Sequence, residues 1–444
     1  MKHLIQTCLA TLATTALFGQ NPADSTANER WNIHFQATTV VQHKPKMAAK
    51  YTFEDYNSLS EEAETATSLT ATIYVGARLW KGAEIYLNPE LAGGAGISRA
   101  TGAAGFPNGE TFRVGNPSPT VYLARLYLKQ TVDFDPQKWE NTEGGFNELR
   151  GRAPKHGLTF YLGKICLADF FDNNELSHDP RTRFLNWSLM SNGAWDYPAD
   201  VRGYTIGAMA EYRHYDWSIR LASTLEPTEA NGAVLNEDWS KANGTTLEIE
   251  KNYKIGRLEG TIRALGFFNT ANMGNYAAAV EYSRFPAQKI PDLERTRQYG
   301  RSKYGFGLNV EQNLTRNIGI FSRYSWNDGQ NETWAFTEID NSFSVGGILR
   351  GAMWQRADDM FGAAFVSNGI SVNHQNLLRL GGKGFIIGDG NLNYGREAIF
   401  EVFYSLKIKQ NFWFSPDFQW IINPAYNQDR GSAMAFALRA HIEI

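Results

Sequence analysis

Through most of its length the chain alternates, residue by residue, between apolar and polar side chains. In KYGFGLNVEQN, Tyr304, Phe306, Leu308 and Val310 fall on one face, opposite Lys303, Gly305, Gly307, Asn309 and Glu311. In EAIFEVFYSLKI, Ala398, Phe400, Val402, Tyr404 and Leu406 oppose Glu397, Glu401, Ser405 and Lys407. AMAFALRAHIEI sets Met434, Phe436, Leu438, Ala440 and Ile442 against Arg439, His441 and Glu443. A period of two with one apolar and one charged face is a β-strand exposed to two different environments.

Followed along the chain, this pattern predicts sixteen strands, starting near residues 31, 69, 83, 120, 157, 203, 216, 244, 256, 303, 317, 339, 359, 397, 411 and 433. Several exceed the roughly 5–6 residues of a globular strand and match the roughly 9–11 needed to cross a bilayer at a tilt. The connections alternate too. Short ones fall at Lys81-Gly82, His214-Tyr215, Ile255, 314–316 and 409–410; long ones cover 43–68, 93–119, 166–202, 225–243, 269–302 and 368–396. Strict alternation of short and long is the plan of an outer-membrane antiparallel barrel, with tight periplasmic turns and long external loops. A soluble sandwich would not keep that alternation, and no fixed-period repeat supports a propeller or solenoid. Residues 135–156 are the exception: a short turn belongs there and the stretch is long.

Composition leaves the class open. A mean hydropathy of −0.39 is usual for a soluble protein, but a membrane barrel is equally polar by this measure, because half of every strand faces water. The 41 glycines, 27 phenylalanines and 20 tyrosines favour strands and turns. A net charge of −3 lacks the basic footprint of a nucleic-acid binder. The start, MKHLIQTCLATLATTALFGQ, reads as a signal peptide over residues 1–20, cut between Ala16 and Ala23. Residues 21–444 then form one barrel domain. Cys8 leaves with the leader, so Cys166 is expected to be a single packed thiol. No later run of 18 apolar residues offers a transmembrane helix.

Catalytic motifs and a metal or cofactor site are not evident. The eight histidines are scattered, without HExxH, G-x-S-x-G or P-loop signatures. Ser177-His178-Asp179 has hydrolase residue types but only as sequence neighbours, and Asp172–Glu175 lacks EF-hand spacing. The inward faces say more. Arg125 and Lys129, Glu211 and Arg213, and Glu259 and Arg263 all lie opposite apolar faces. They must point into the lumen, since a charge in mid-bilayer costs roughly 2–4 kcal/mol. A lumen of mixed charge favours neutral, hydroxyl-rich solutes over ions of one sign. The connection at 166–202 joins strands 5 and 6 on the external side and is the expected constricting loop. Its aromatic residues Trp187, Trp195 and Tyr197 offer faces for sugar rings. Its charged residues, Asp179, Arg181, Arg183, Asp196, Asp200 and Arg202, offer strong hydrogen bonds to hydroxyls.

DNNELSHDPRTRFLNWSLMSNGAWDYPADVRGYT, beginning at Asp172, resembles the most distinctive block of the OprB-like carbohydrate-selective porins. Further blocks are similar in order: LNPELAGGAG, GETFRVGN, YLARLYL, EPTEANG, RYSWNDGQNE, FTEID, GGKGFIIGDGNLNYGREAIFEVFYS and FQWIINPAYNQDRG. The resemblance implies a sixteen-stranded channel in the outer membrane of a Gram-negative bacterium, passing monosaccharides and small polyols by passive diffusion. Small, glucose-like sugars, outer-membrane lipid and the barrel-assembly machinery are then the expected partners, and no nucleic acid is. Arg125, Arg181, Arg183, Trp187, Trp195, Asp196 and Arg202 lie in matching blocks and are the constriction candidates. The last residue, Ile444, departs from the aromatic terminus usual in such barrels. Two other readings remain: an outer-membrane barrel hydrolase, and a sugar-binding barrel with a sealed lumen.

Overall fold

The computed structural model describes residues 28–53, 55–111, 118–284 and 289–444; the expected signal peptide lies outside them. Sixteen strands form one closed antiparallel barrel. In chain order they are β1 (Trp31–Lys44), β2 (Glu64–Trp80), β3 (Ala83–Gly94), β4 (Thr120–Asp133), β7 (His156–Ile165), β8 (Thr205–His214), β9 (Trp217–Leu225) and β10 (Asn243–Ile255). Then follow β11 (Leu258–Met273), β12 (Gln298–Asn313), β13 (Ile318–Asn327), β14 (Asn341–Arg350), β15 (Met360–Gly369), β16 (Glu397–Lys409), β17 (Phe412–Ile422) and β18 (Ser432–Glu443). The barrel closes where β1 pairs with β18, from Gln36 opposite Glu443 to His43 opposite Phe436. Closure leaves no unpaired strand edge, which a wall in hydrocarbon requires.

The alternation expected from sequence sets the two faces. Ile33, Leu221, Ile262, Phe306 and Leu438 are exposed on the outside, while Gln36, Glu248, Asn309, Glu401 and Arg439 are buried within. Trp31, Trp80 and Trp217 are exposed at strand ends beside the short turns, where an aromatic girdle belongs. At the Lys81–Gly82 turn, Gly82 has φ +77°, and a Cβ there would stand 2.2 Å from the Thr131 carbonyl oxygen. No larger residue fits that turn.

Two boundaries differ from the sequence expectation. β2 starts at Glu64 rather than near 69, and β12 at Gln298 rather than near 303. Both extensions lie at the long-loop end, where both faces of a strand meet water and alternation fades. The anomalous stretch 135–156 contains a small separate hairpin, β5 (Trp139–Thr142) with β6 (Gly151–Pro154), at the short-turn end.

The segment between β7 and β8 folds into the lumen. Its one α-helix, α1 (Trp187–Met190), is four residues long and is capped by Asn186. The rest is irregular, and irregular backbone inside a barrel needs partners for its N–H and C=O groups. Inward carboxylates accept the N–H groups. Glu248 takes that of Asp172 at 2.7 Å, Glu311 that of Glu175 at 2.7 Å, and Glu401 those of Leu185 and Asn186 at 2.6 and 2.9 Å. Inward arginines serve the carbonyls. Arg439 donates to Pro180 and Arg183 at 2.6 and 2.7 Å, and Arg323 to Leu189 at 2.9 Å. Phe184 wedges edge-on against Phe321 and Phe403 of the wall. Glycine lets the segment lie close: a Cβ on Gly307 would sit 1.8 Å from the Asn192 amide.

Candidate functional site

With that segment docked against β10–β18, the open part of the lumen runs along β1–β4 and β7 as a cavity of about 720 Å³. Five carboxylates (Glu90, Glu110, Glu148, Asp169, Asp179) and four cations (Arg125, Lys129, Arg181, Arg202) line it. Alternation on β3 turns Glu84, Tyr86, Asn88 and Glu90 inward together, and β4 contributes Tyr122, Arg125 and Lys129.

Arg181 reaches across from the inward-folded segment to side chains of β2, β3 and the loop after β3. Its Nε donates to Glu110 at 2.6 Å, Nη2 to Glu90 at 3.2 Å and Nη1 to the Tyr74 hydroxyl at 3.2 Å. Glu90 is a hub, also accepting from Thr72 at 2.6 Å, from Tyr204 at 3.0 Å and from Tyr122. Burial pushes the Glu110 carboxyl above its usual range, against the pull of Arg181. Asp179 shows the opposite balance: burial raises it, but the Arg181 charge and N–H outweigh that and hold it low. Burial also lowers the pKa of His178 on the cavity wall, which favours the neutral imidazole.

Arg125 forms the second pair, a two-pronged contact with Asp169 at 2.6 Å through Nε and 2.6 Å through Nη2. The same guanidinium lies 5.2 Å from the centre of the Tyr204 ring, and Arg202 lies 4.2 Å from that of Tyr122. The same lining carries near-parallel aromatic rings. Trp187 is 5.1 Å from Phe106 and 5.1 Å from Phe336, and Phe336 is 4.6 Å from Tyr197. Arg125 Nη1 and Trp187 Nε1 are buried donors on cavity-lining residues with no partner among the described residues. The cavity thus offers donors, acceptors and ring surfaces within one passage, with its charges largely cancelled.

A family model described as carbohydrate-selective porin, OprB family, matches residues 56–444. The chain belongs to this family. Porin AaxA of Chlamydia muridarum is 25% identical over 140 residues, spanning 32% of this chain and 26% of that protein. Among solved structures, the high-pH form of Pseudomonas putida OprB superposes with a TM-score of 0.69 at 14% identity, covering 94% of each chain. The outer membrane channel DcaP of Acinetobacter baumannii gives 0.51 at 8% identity, over 93% of this chain and 97% of that one. The OprB-family protein is therefore a channel of the Gram-negative outer membrane.

Of the seven constriction candidates, Arg125, Arg181, Trp187 and Arg202 line the cavity. Arg183, Trp195 and Asp196 are not among its lining residues. Arg183 Nε donates to the Glu175 carbonyl at 3.2 Å. Trp195 is 1% exposed and packs on Phe171 and Tyr197. Asp196 accepts the N–H groups of Trp334, Ala335 and Phe336 at 2.7, 2.9 and 3.1 Å, tying another external loop down. Of the wall charges expected in the lumen, Arg263 pairs with Glu250 and Glu311 within the wall, and Glu211 with Arg220.

Sequence reasoning missed Glu90, Glu110, Tyr74 and Asp169. Parity would have found Glu90, which is in phase with inward Glu84, and Tyr74, which shares a face with Thr70 and Thr72 opposite Leu69, Ile73 and Val75; nothing local marks Glu110 or Asp169. Ser177 Oγ accepts from Arg323 at 2.6 Å while His178 Nδ1 faces the Met190 carbonyl at 3.3 Å, so hydroxyl and imidazole serve different partners. Asp172 is buried against Arg323 and Asn309. No cluster of three or more metal-ligating side chains occurs among the described residues.

Proposed function

We propose that this OprB-family channel carries monosaccharides and small polyols by passive, carbohydrate-selective diffusion. The observation that supports this reading is the near-balance of five carboxylates and four cations along one narrow passage, with Arg125 and Arg181 each held by carboxylates. An ion of either sign gains little there, because each fixed charge has an opposite one beside it. A neutral solute exchanges its water hydrogen bonds for bonds to Arg125, Arg181 and Glu90, and slides along the rings of Trp187, Phe336 and Tyr197. Charged partners make these bonds stronger than neutral ones. The apolar outer faces contact outer-membrane lipid, and the barrel-assembly machinery inserts the chain.

The test is liposome swelling with glucose alongside ohmic single-channel recordings. Swelling no faster than in protein-free liposomes overturns the reading. Zero conductance with retained sugar binding would instead assign the protein as a sealed binding barrel.

A further inference from the structure

The connection between β4 and β7 is long where the plan of such a barrel calls for a tight periplasmic turn, and it does not hang free. Its hairpin is tied to the wall where Arg213 meets Glu140, and the Arg152 guanidinium covers Trp139 at 3.8 Å. Between its two strands the chain turns through Gly144 and Asn147, both at positive φ (82° and 55°). Asn32 Nδ2 donates to the Glu148 carbonyl at 2.8 Å, and the Arg150 N–H donates to Glu29 Oε2 at 2.8 Å. Leu149, 2% exposed, plugs into the same apolar cluster as Tyr86 and Tyr127.

The tip held by these contacts, Gly145–Glu148, lines the cavity. The Phe146 ring lies 4.5 Å from that of Tyr74, tilted by 32°, and meets His34 edge-on at 5.9 Å. Tyr74 is the residue whose hydroxyl accepts from Arg181. One ring therefore joins the Arg181 contacts to the tip, and a solute leaving Arg181 toward the periplasm meets Phe146 next. Asn147 Oδ1 is shielded from solvent and accepts nothing among the described residues. Lys129 and Glu148 line the same end of the cavity.

We infer that the Gly145–Glu148 tip is a second, inner sugar-contacting station, formed by Phe146 as a platform and Asn147 as a hydroxyl acceptor, that sets the size limit on exit to the periplasm. Its ligand class is the single pyranose ring, matched by one aromatic face and one adjacent polar group. The inference rests on the diffusion reading above for the identity of the solute, but not for the narrowing.

The test uses the full-length protein in planar bilayers and liposomes. Phe146→Ala is expected to raise KCl conductance about 1.5- to 2-fold and to lower the glucose-to-sucrose swelling ratio roughly threefold, as a removed constriction does. Asn147→Ala is expected to slow glucose about twofold at unchanged conductance, as loss of a single hydroxyl contact does. Phe146→Trp, which keeps the anchoring contacts, covers the case where Phe146→Ala does not fold, and it should lower conductance. Conductance needs no sugar, so a wild-type channel that conducts but passes no glucose defeats the diffusion reading alone. Folded Phe146 variants with wild-type conductance and wild-type swelling ratio overturn the inner station.

Discussion

Replacing Arg181 by methionine keeps much of the side chain's length and leaves three cations facing the five carboxylates of the passage. The guanidinium is 2.6 Å from Glu110 and 3.2 Å from Glu90, so its loss leaves both acids without their nearest positive charge. A potassium ion passing about 4 Å from that guanidinium is repelled by about 1 kcal/mol at the dielectric of water and about 4 kcal/mol at an effective dielectric of 20. A hydrated lumen belongs near the lower figure, and removing about 1 kcal/mol of repulsion multiplies potassium permeability about fivefold. Arg181→Met should therefore shift the reversal potential in a tenfold KCl gradient strongly toward cation selectivity. The shift should shrink at acid pH, because burial already raises the Glu110 carboxyl and Arg181 is the main charge opposing it. Arg183→Met, two residues away but off the cavity, is the control and should leave the reversal potential unchanged. Equal reversal potentials for wild type and Arg181→Met, or an equal shift from both variants, would refute the placement of the constriction.

Phe184→Ala removes a fully buried ring from between Phe321 and Phe403. It should weaken loop docking by about 3–5 kcal/mol, which would be read as faster protease cleavage within 166–204 and noisier channel currents. Asp196→Asn costs the charge that three N–H groups share. We expect about 1.5–3 kcal/mol of lost stability, a lower temperature for the heat-modifiable gel shift, and an unchanged glucose-to-sucrose ratio. Glu226 is wholly buried with both carboxylate oxygens unpartnered among the described residues, and burial holds its pKa well above the usual value. A raised folded pKa means stability that is present below the unfolded value of about 4.3 and lost as pH rises to and through the folded one. Glu226→Gln removes that loss, so thermal melts should show the variant gaining on wild type from pH 4 to pH 9. A parallel pH dependence for the two proteins would count against a protonated Glu226.

The barrel was legible because lipid enforces a rule on every crossing strand. Outward residues such as Phe306 and Leu438 must be apolar, so the pattern repeats wherever the wall passes through hydrocarbon. It faded where the rule lapses, at Glu64–Ser68 and at the start of β12, which project into water. The hairpin at Trp139–Pro154 was seen only as excess length, because four-residue strands carry too little alternation to read. The candidate site was half legible. Arg125 could be placed by parity on β4, whereas Arg181, Arg183, Trp187 and Trp195 sit in irregular backbone where no period says which way a side chain points. Trp187 reached the cavity and Trp195 the core, eight residues apart in one segment.

By itself, then, the sequence determined a closed barrel, its sidedness and its inward-facing charges, since these follow from the solvent each residue must meet. Only the tertiary structure decided how those inward charges are used. Glu401 meets Leu185 across 216 residues of chain, Arg323 meets Asp172 across 151, and Arg439 meets Pro180 across 259. In sequence these residues look the same as Arg125 or Glu90: a charge opposite an apolar face. The path of the 166–204 segment separates the two sets. Where it lies against the wall, inward charges satisfy its N–H and carbonyl groups; where it leaves the wall open, they face the solute.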